Sequence, residues 1–62
     1  MELEEVTQLG QEVFGSPEKF QLWLETVSVT LGNVKPIDLL RDARGQEMVI
    51  AELTRISHGI LV

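Results

Sequence analysis

Sixty-two residues allow one domain at most, near the lower limit at which a chain without a metal or disulfide buries enough apolar surface to fold alone. The absence of cysteine excludes disulfides, thiolate metal sites and cysteine nucleophiles, and 44% hydrophobic residues are too many for a disordered tail. Ten acidic against five basic residues give a net charge of −5, which opposes independent binding to a phosphate backbone and favours a basic partner surface.

From Leu3 to Phe14 the apolar residues Leu3, Val6, Leu9, Val13 and Phe14 fall on one stripe, with Gly10 inside it. Glu4, Glu5, Gln8, Gln11 and Glu12 fill the opposite side, so the spacing predicts an amphipathic helix over 3–14 with a solvated acidic face. Gly15 suits the left-handed conformation that ends a helix, Ser16 can cap the next one, and Pro17 fits its first position, where no amide donor is needed. Lys19 stands where a reciprocal capping box would have Glu or Gln, so the cap is expected to be one-sided. Phe20, Trp23, Leu24 and Val27 follow at helical spacing, which predicts a second helix over 17–26. Trp23 reads as a core residue beside Phe20 and Leu24, or else as a partly exposed anchor for a partner.

Val27-Ser28-Val29-Thr30 brings three β-branched residues in four and loses helix propensity. With no second strand to pair with, it is expected to be a loop leading into Leu31-Gly32-Asn33, whose last two residues tolerate positive φ. Pro36 starts a third, short helix expected over 36–42, with Ala43-Arg44-Gly45 breaking it. A fourth helix is expected over 46–58, its apolar line formed by Val49, Leu53, Ile56 and, with helical geometry extended to the tail, Ile60, with Gly59 as its stop and Arg55 and His58 in its last turn. Met48 and Ile50 flank that line on opposite sides, which makes this helix the expected centre of the bundle. The fold class is therefore all-α, a small bundle of four short helices in a single domain, 1–62, around Val13, Phe14, Phe20, Trp23, Leu24, Leu40, Val49, Leu53 and Ile56.

Chemistry is sparse. The one histidine, His58, has no sequence signature linking it to a serine, no metal-ligand cluster exists, and no glycine-rich phosphate loop follows a strand. The expectation is a protein that is not an enzyme, with no catalytic residue, no cofactor and no metal. No apolar run approaches the roughly 18 residues a membrane span needs, so no membrane is expected and the location is expected to be cytoplasmic.

The order Phe14-Gly15-Ser16, then Phe20-Gln21-Leu22-Trp23-Leu24-Glu25-Thr26, then Leu31-Gly32-Asn33-Val34-Lys35-Pro36-Ile37-Asp38-Leu39-Leu40-Arg41, then Ile56-Ser57-His58-Gly59-Ile60 resembles the toxin-binding domain of Xre/MbcA/ParS antitoxins. Val27-Ser28-Val29-Thr30 lacks that family's usual Asn-Pro, Asn33 stands where a second glycine is common, and Lys35 replaces the Thr that would cap the third helix. The family's antitoxins usually carry a helix-turn-helix DNA-binding domain ahead of this one, and Met1 to Phe14 is too short to hold it. The chain thus reads as a fragment or as an isolated toxin-binding module, with no DNA binding expected of it alone.

The resemblance implies an antitoxin of a type II toxin-antitoxin system. Its partner would be a RES-domain toxin, similar to ADP-ribosyltransferases and consuming NAD, whose active-site entrance the antitoxin's C-terminal part covers. The expected toxin-binding residues are Arg55, His58, Gly59, Ile60, Leu61 and Val62. Arg55 and His58 lie off the apolar line, and Leu61 and Val62 lie beyond Gly59, where a bundle this small has little surface left to bury them. The alternative is a small self-associating helical domain, since spare apolar surface could form a homodimer. For the end of the fourth helix the alternative to a binding surface is that Arg55 caps the helix and the tail closes the core.

Overall fold

Four amphipathic segments form four helices in the computed structural model, which describes residues 3–60: α1 (Leu3–Phe14), α2 (Pro17–Leu24), α3 (Pro36–Leu39) and α4 (Ala43–Ile60). Among the described residues there is no strand, only an isolated antiparallel bridge between Ser28 and Val34. The all-α expectation is met. The radius of gyration is 10.6 Å, the value of about 11 Å that a compact chain of this length gives.

The junction of α1 and α2 follows the local chemistry of its residues. Gly15 takes φ 83 and donates its N–H to the Gln11 carbonyl at 2.8 Å, closing α1. Ser16 is extended at φ −160 and ψ 152, and its Oγ accepts the Lys19 N–H at 3.2 Å, satisfying one of the free amides at the start of α2. This turn folds α2 back onto α1 and brings Phe14, Phe20 and Trp23 together, with ring centroids 5.6 to 6.2 Å apart. Gly10 lies directly beneath the Phe20 ring, where any side-chain carbon would overlap it.

Helix α4 packs against α1 and α3, while α2 closes the remaining side against α1 and α3. The buried apolar core is Val6, Phe20, Leu24, Val49 and Leu53. Val13, Phe14, Trp23, Leu40 and Ile50 pack against it partly buried, so Trp23 is neither sealed in the core nor an open anchor. Ile56 is also partly buried. Val6 belongs to the core and was absent from the expected set, although it lies on the α1 stripe. Of the two residues flanking the α4 line, Ile50 reaches the core and Met48 is exposed.

Four helix boundaries differ from the expected ones, three of them for a hydrogen-bonding reason. α2 ends at Leu24, not at Thr26, because the Glu25 N–H is shared between the Gln21 and Leu22 carbonyls and the Thr26 hydroxyl takes the Leu22 carbonyl at 2.7 Å. α3 stops at Leu39, not at residue 42. The Leu40 carbonyl is turned to accept from Gln46 Nε2 at 2.9 Å, and Asp42 is taken as the cap of α4.

The start of α4 is the largest correction. Ala43-Arg44-Gly45 does not break a helix but begins one: Asp42 Oδ1 accepts the Gly45 N–H at 2.7 Å and the Asp42 carbonyl accepts the Gln46 N–H at 3.0 Å. Gly45 is buried because the Leu39 carbonyl sits where its side chain would be. At the far end Gly59 is not a stop, since the helix runs through it to Ile60. Pro36 opens α3 as expected, and Lys35 before it provides no side-chain cap.

Candidate functional site

The last turns of α4 carry the residues expected to bind a partner. Arg55 and His58 are three apart, and Arg55 and Gly59 four apart, so all three share one side of the helix, and all three are exposed. Ile60 ends the helix, while Leu61 and Val62 lie outside the described residues. Because α4 continues past Gly59, His58 alone is the basic residue of the last turn. Arg55 sits one turn earlier, so its charge is not spent on the helix end.

Its partner is Glu52. Arg55 Nη2 donates to Glu52 Oε2 at 2.6 Å and Arg55 Nε to Glu52 Oε1 at 3.2 Å, a fork on both carboxylate oxygens. The Glu52 side chain is only 11% exposed while that of Arg55 is 63% exposed. The carboxylate is therefore the fixed anchor, and the guanidinium is held out at the surface with a defined orientation. A third donor comes from far along the chain: Thr30 Oγ1 donates to Glu52 Oε2 at 2.9 Å. Since the single Thr30 proton points at the carboxylate, the 3.0 Å contact between the Ser28 and Thr30 hydroxyls has Ser28 donating. Ser28, Thr30, Glu52 and Arg55 thus form one continuous hydrogen-bonded chain joining the loop after α2 to the candidate surface.

These contacts hold the Glu52 carboxyl below its ordinary value of 4.5, the Arg55 hydrogen bond first, against an opposing effect of desolvation, with smaller help from Thr30 and the Arg55 charge. Glu52 raises the Arg55 value in turn. Because the folded value of Glu52 lies below the unfolded one, folding favours its ionised form. Its contribution to stability is full above the ordinary carboxylate range and is lost as the pH falls through the folded value. A carboxyl-detected NMR titration is expected to place the Glu52 midpoint below 4.5, with the Thr30 resonance following the same midpoint. A Glu52 midpoint at or above the ordinary value would rule out the fork in solution.

Residues 9–59 match the family described as antitoxin Xre/MbcA/ParS C-terminal toxin-binding domain. The chain belongs to this family. No curated protein and no solved structure matches it.

The family match ends at Gly59, so it takes in Arg55 and His58 and stops short of Ile60, Leu61 and Val62. An antitoxin domain of this kind has a toxin as its partner, and a cation held on a fixed carboxylate suits recognition rather than bond making. Among the described residues no three His, Asp or Glu side chains gather to hold a metal ion, and no helix is long and apolar enough to cross a membrane. An open cleft of about 480 Å³ lies against Asp38, Leu39, Asp42, Arg44 and Met48 at the start of α4. Ten residues of helix separate Met48 from His58, about 15 Å at the usual rise, so this cleft and the candidate surface are different places.

Glu52 and Thr30 were not among the residues expected to act. The spacing of Glu52 and Arg55 by three on a helix could have signalled the pair from the sequence. Nothing local could have signalled Thr30, which meets Glu52 only through the fold.

Proposed function

We propose that this chain is the toxin-binding module of a type II antitoxin, that its toxin is a cytoplasmic RES-domain enzyme consuming NAD, and that inhibition is steric. The end of α4 and the residues after it, Arg55, His58, Gly59, Ile60, Leu61 and Val62, cover the entrance to the toxin's active site, and the chain itself catalyses nothing. The observation that carries this reading is the position of Arg55, exposed near the end of α4 and oriented by a carboxylate that is itself nearly covered, inside the segment that matches the antitoxin family. The net charge of −5 adds to it. An acidic module approaches the basic groups that would otherwise meet the phosphates of the dinucleotide, and the same charge opposes DNA binding by this chain alone.

Deleting Ile60 to Val62, and separately changing Arg55 to Ala, is expected to leave melting close to that of the parent while NAD consumption by the toxin resumes. Truncating a desolvated interface arginine costs about 2 kcal/mol or more, about thirtyfold in affinity. Two folded variants that neutralise the toxin as well as the parent does would end the proposal for this surface. A parent chain that forms a homodimer and leaves the toxin unbound would favour the self-associating alternative.

A further inference from the structure

The loop after α2 leaves two valines at the surface while its hydroxyls are tied to α4. Only Ser28 is paired, in an isolated bridge to Val34, and residues 29–32 turn, with the Gly32 N–H on the Val29 carbonyl at 3.1 Å. Ser28 and Thr30 carry their hydroxyls along the surface to Glu52 on α4. Val27 and Val29 beside them are 53% and 77% exposed. The polar side chains are consumed in holding the loop down, and the two valines are presented to the outside.

The backbone is arranged in the same sense. Ser28 uses its N–H on the Val34 carbonyl at 2.9 Å and its carbonyl on the Asn33 N–H at 2.9 Å, while the N–H groups of Val27 and Val29 have no acceptor among the described residues. Asn33 at φ 61 and Gly32 at φ 98 close the turn behind them. The loop therefore offers two exposed β-branched side chains and two amide donors without an acceptor among the described residues, and it is tied to the carboxylate that also orients Arg55.

We propose that Val27 and Val29 form the second half of the toxin-binding surface, seated against an apolar depression in the toxin that is bordered by basic groups. This rests on the functional reading above. Two observations select a basic protein surface as the occupant. A stable interface takes about 20 to 30 residues a side, far more than the end of α4 offers, and the hydrogen-bonded chain from Arg55 through Glu52 and Thr30 makes this loop the continuation of that surface. A second copy of the chain would bring another net charge of −5 against the first, whereas a basic partner is attracted. Glu52 is then a positioning residue, fixing the loop and Arg55 relative to one another.

The test is titration of the cognate RES-domain toxin with the full chain carrying Val27→Thr and Val29→Thr together, which keeps the shape and β-branching, or Val29→Lys alone. Affinity is expected to fall about tenfold for the first variant and more than a hundredfold for the second, with melting unchanged and Arg55→Ala measured alongside. On the parent chain, hydrogen exchange at the Val27 and Val29 amides is expected to be fast when free and at least about tenfold slower in the complex. Parent-like affinity of the valine variants, or amides that exchange equally fast in the complex, overturns the proposal even where Arg55→Ala still weakens binding. In that case the functional reading stands and the loop is no part of it. A parent chain that does not bind the toxin at all overturns both.

Discussion

Gly10→Ala is expected to lower the stability of the domain by about 1–3 kcal/mol, the usual cost of forcing a carbon into a filled core. Helix propensity alone points the other way, since alanine in a helix interior is favoured over glycine by about 1 kcal/mol. Sterics decide the sign because Gly10 is buried on α1 and the Phe20 ring edge occupies the space a methyl group would need. The ring has no free side to retreat to, being packed against Phe14 and Trp23. A chain this short has about 3–9 kcal/mol of stability in all, so the loss is readily seen in urea denaturation. Trimming the obstructing ring supplies the check. In a Phe20→Leu background the same Gly10→Ala change is expected to cost much less or to stabilise, giving a coupling energy of about 1 kcal/mol or more. Equal penalties in the two backgrounds would show that Gly10 and Phe20 do not meet.

The same pair shows where sequence reading succeeds and where it stops. Gly15, Ser16 and Pro17 are legible because the end of one helix and the start of the next are satisfied by residues within four positions of each other. Gly10 could be seen to interrupt the α1 stripe, but that it makes room for Phe20 follows only once α2 is folded back. At Gly45 local reasoning pointed the wrong way. A glycine between Arg44 and Gln46 looks like a helix breaker, yet its lack of a side chain is what lets the Leu39 carbonyl approach the first turn of α4. Asp42 was the legible signal there, a capping residue three positions before the amide it accepts.

The candidate surface divides in the same way. Arg55 and His58 could be placed on the polar side of α4 from spacing alone, and Glu52 stands at pairing distance from Arg55 on the same helix. The loop could be recognised as neither helix nor strand. Which of its side chains are tied down depends on Glu52 arriving 22 residues later, a long-range contact that no local pattern encodes.

Gly45→Ala is expected to be the more damaging of the two glycine substitutions, with a loss of about 2–4 kcal/mol. At Gly10 the obstacle is a side chain that can be trimmed; at Gly45 it is the backbone carbonyl of Leu39, so no compensating side-chain change exists. Either the end of α3 or the first turn of α4 must shift. That junction is held by the Gly45 N–H on Asp42 Oδ1 at 2.7 Å and by Gln46 Nε2 on the Leu40 carbonyl at 2.9 Å. A helix cap is worth about 1 kcal/mol and a net hydrogen bond about the same, and the strain of displacing packed backbone adds to them. The roughly 1 kcal/mol by which alanine favours a helix interior offsets only part of this. Asp42→Ala makes the argument testable beyond its size. In the parent it should cost about 1 kcal/mol as a lost cap, whereas in the Gly45→Ala background the cap is already broken and the further cost should be small. Additive losses would mean that the α4 start tolerates the methyl group with its cap intact. A Gly45→Ala chain more stable than the parent would mean that the α3 carbonyl does not approach α4 in solution.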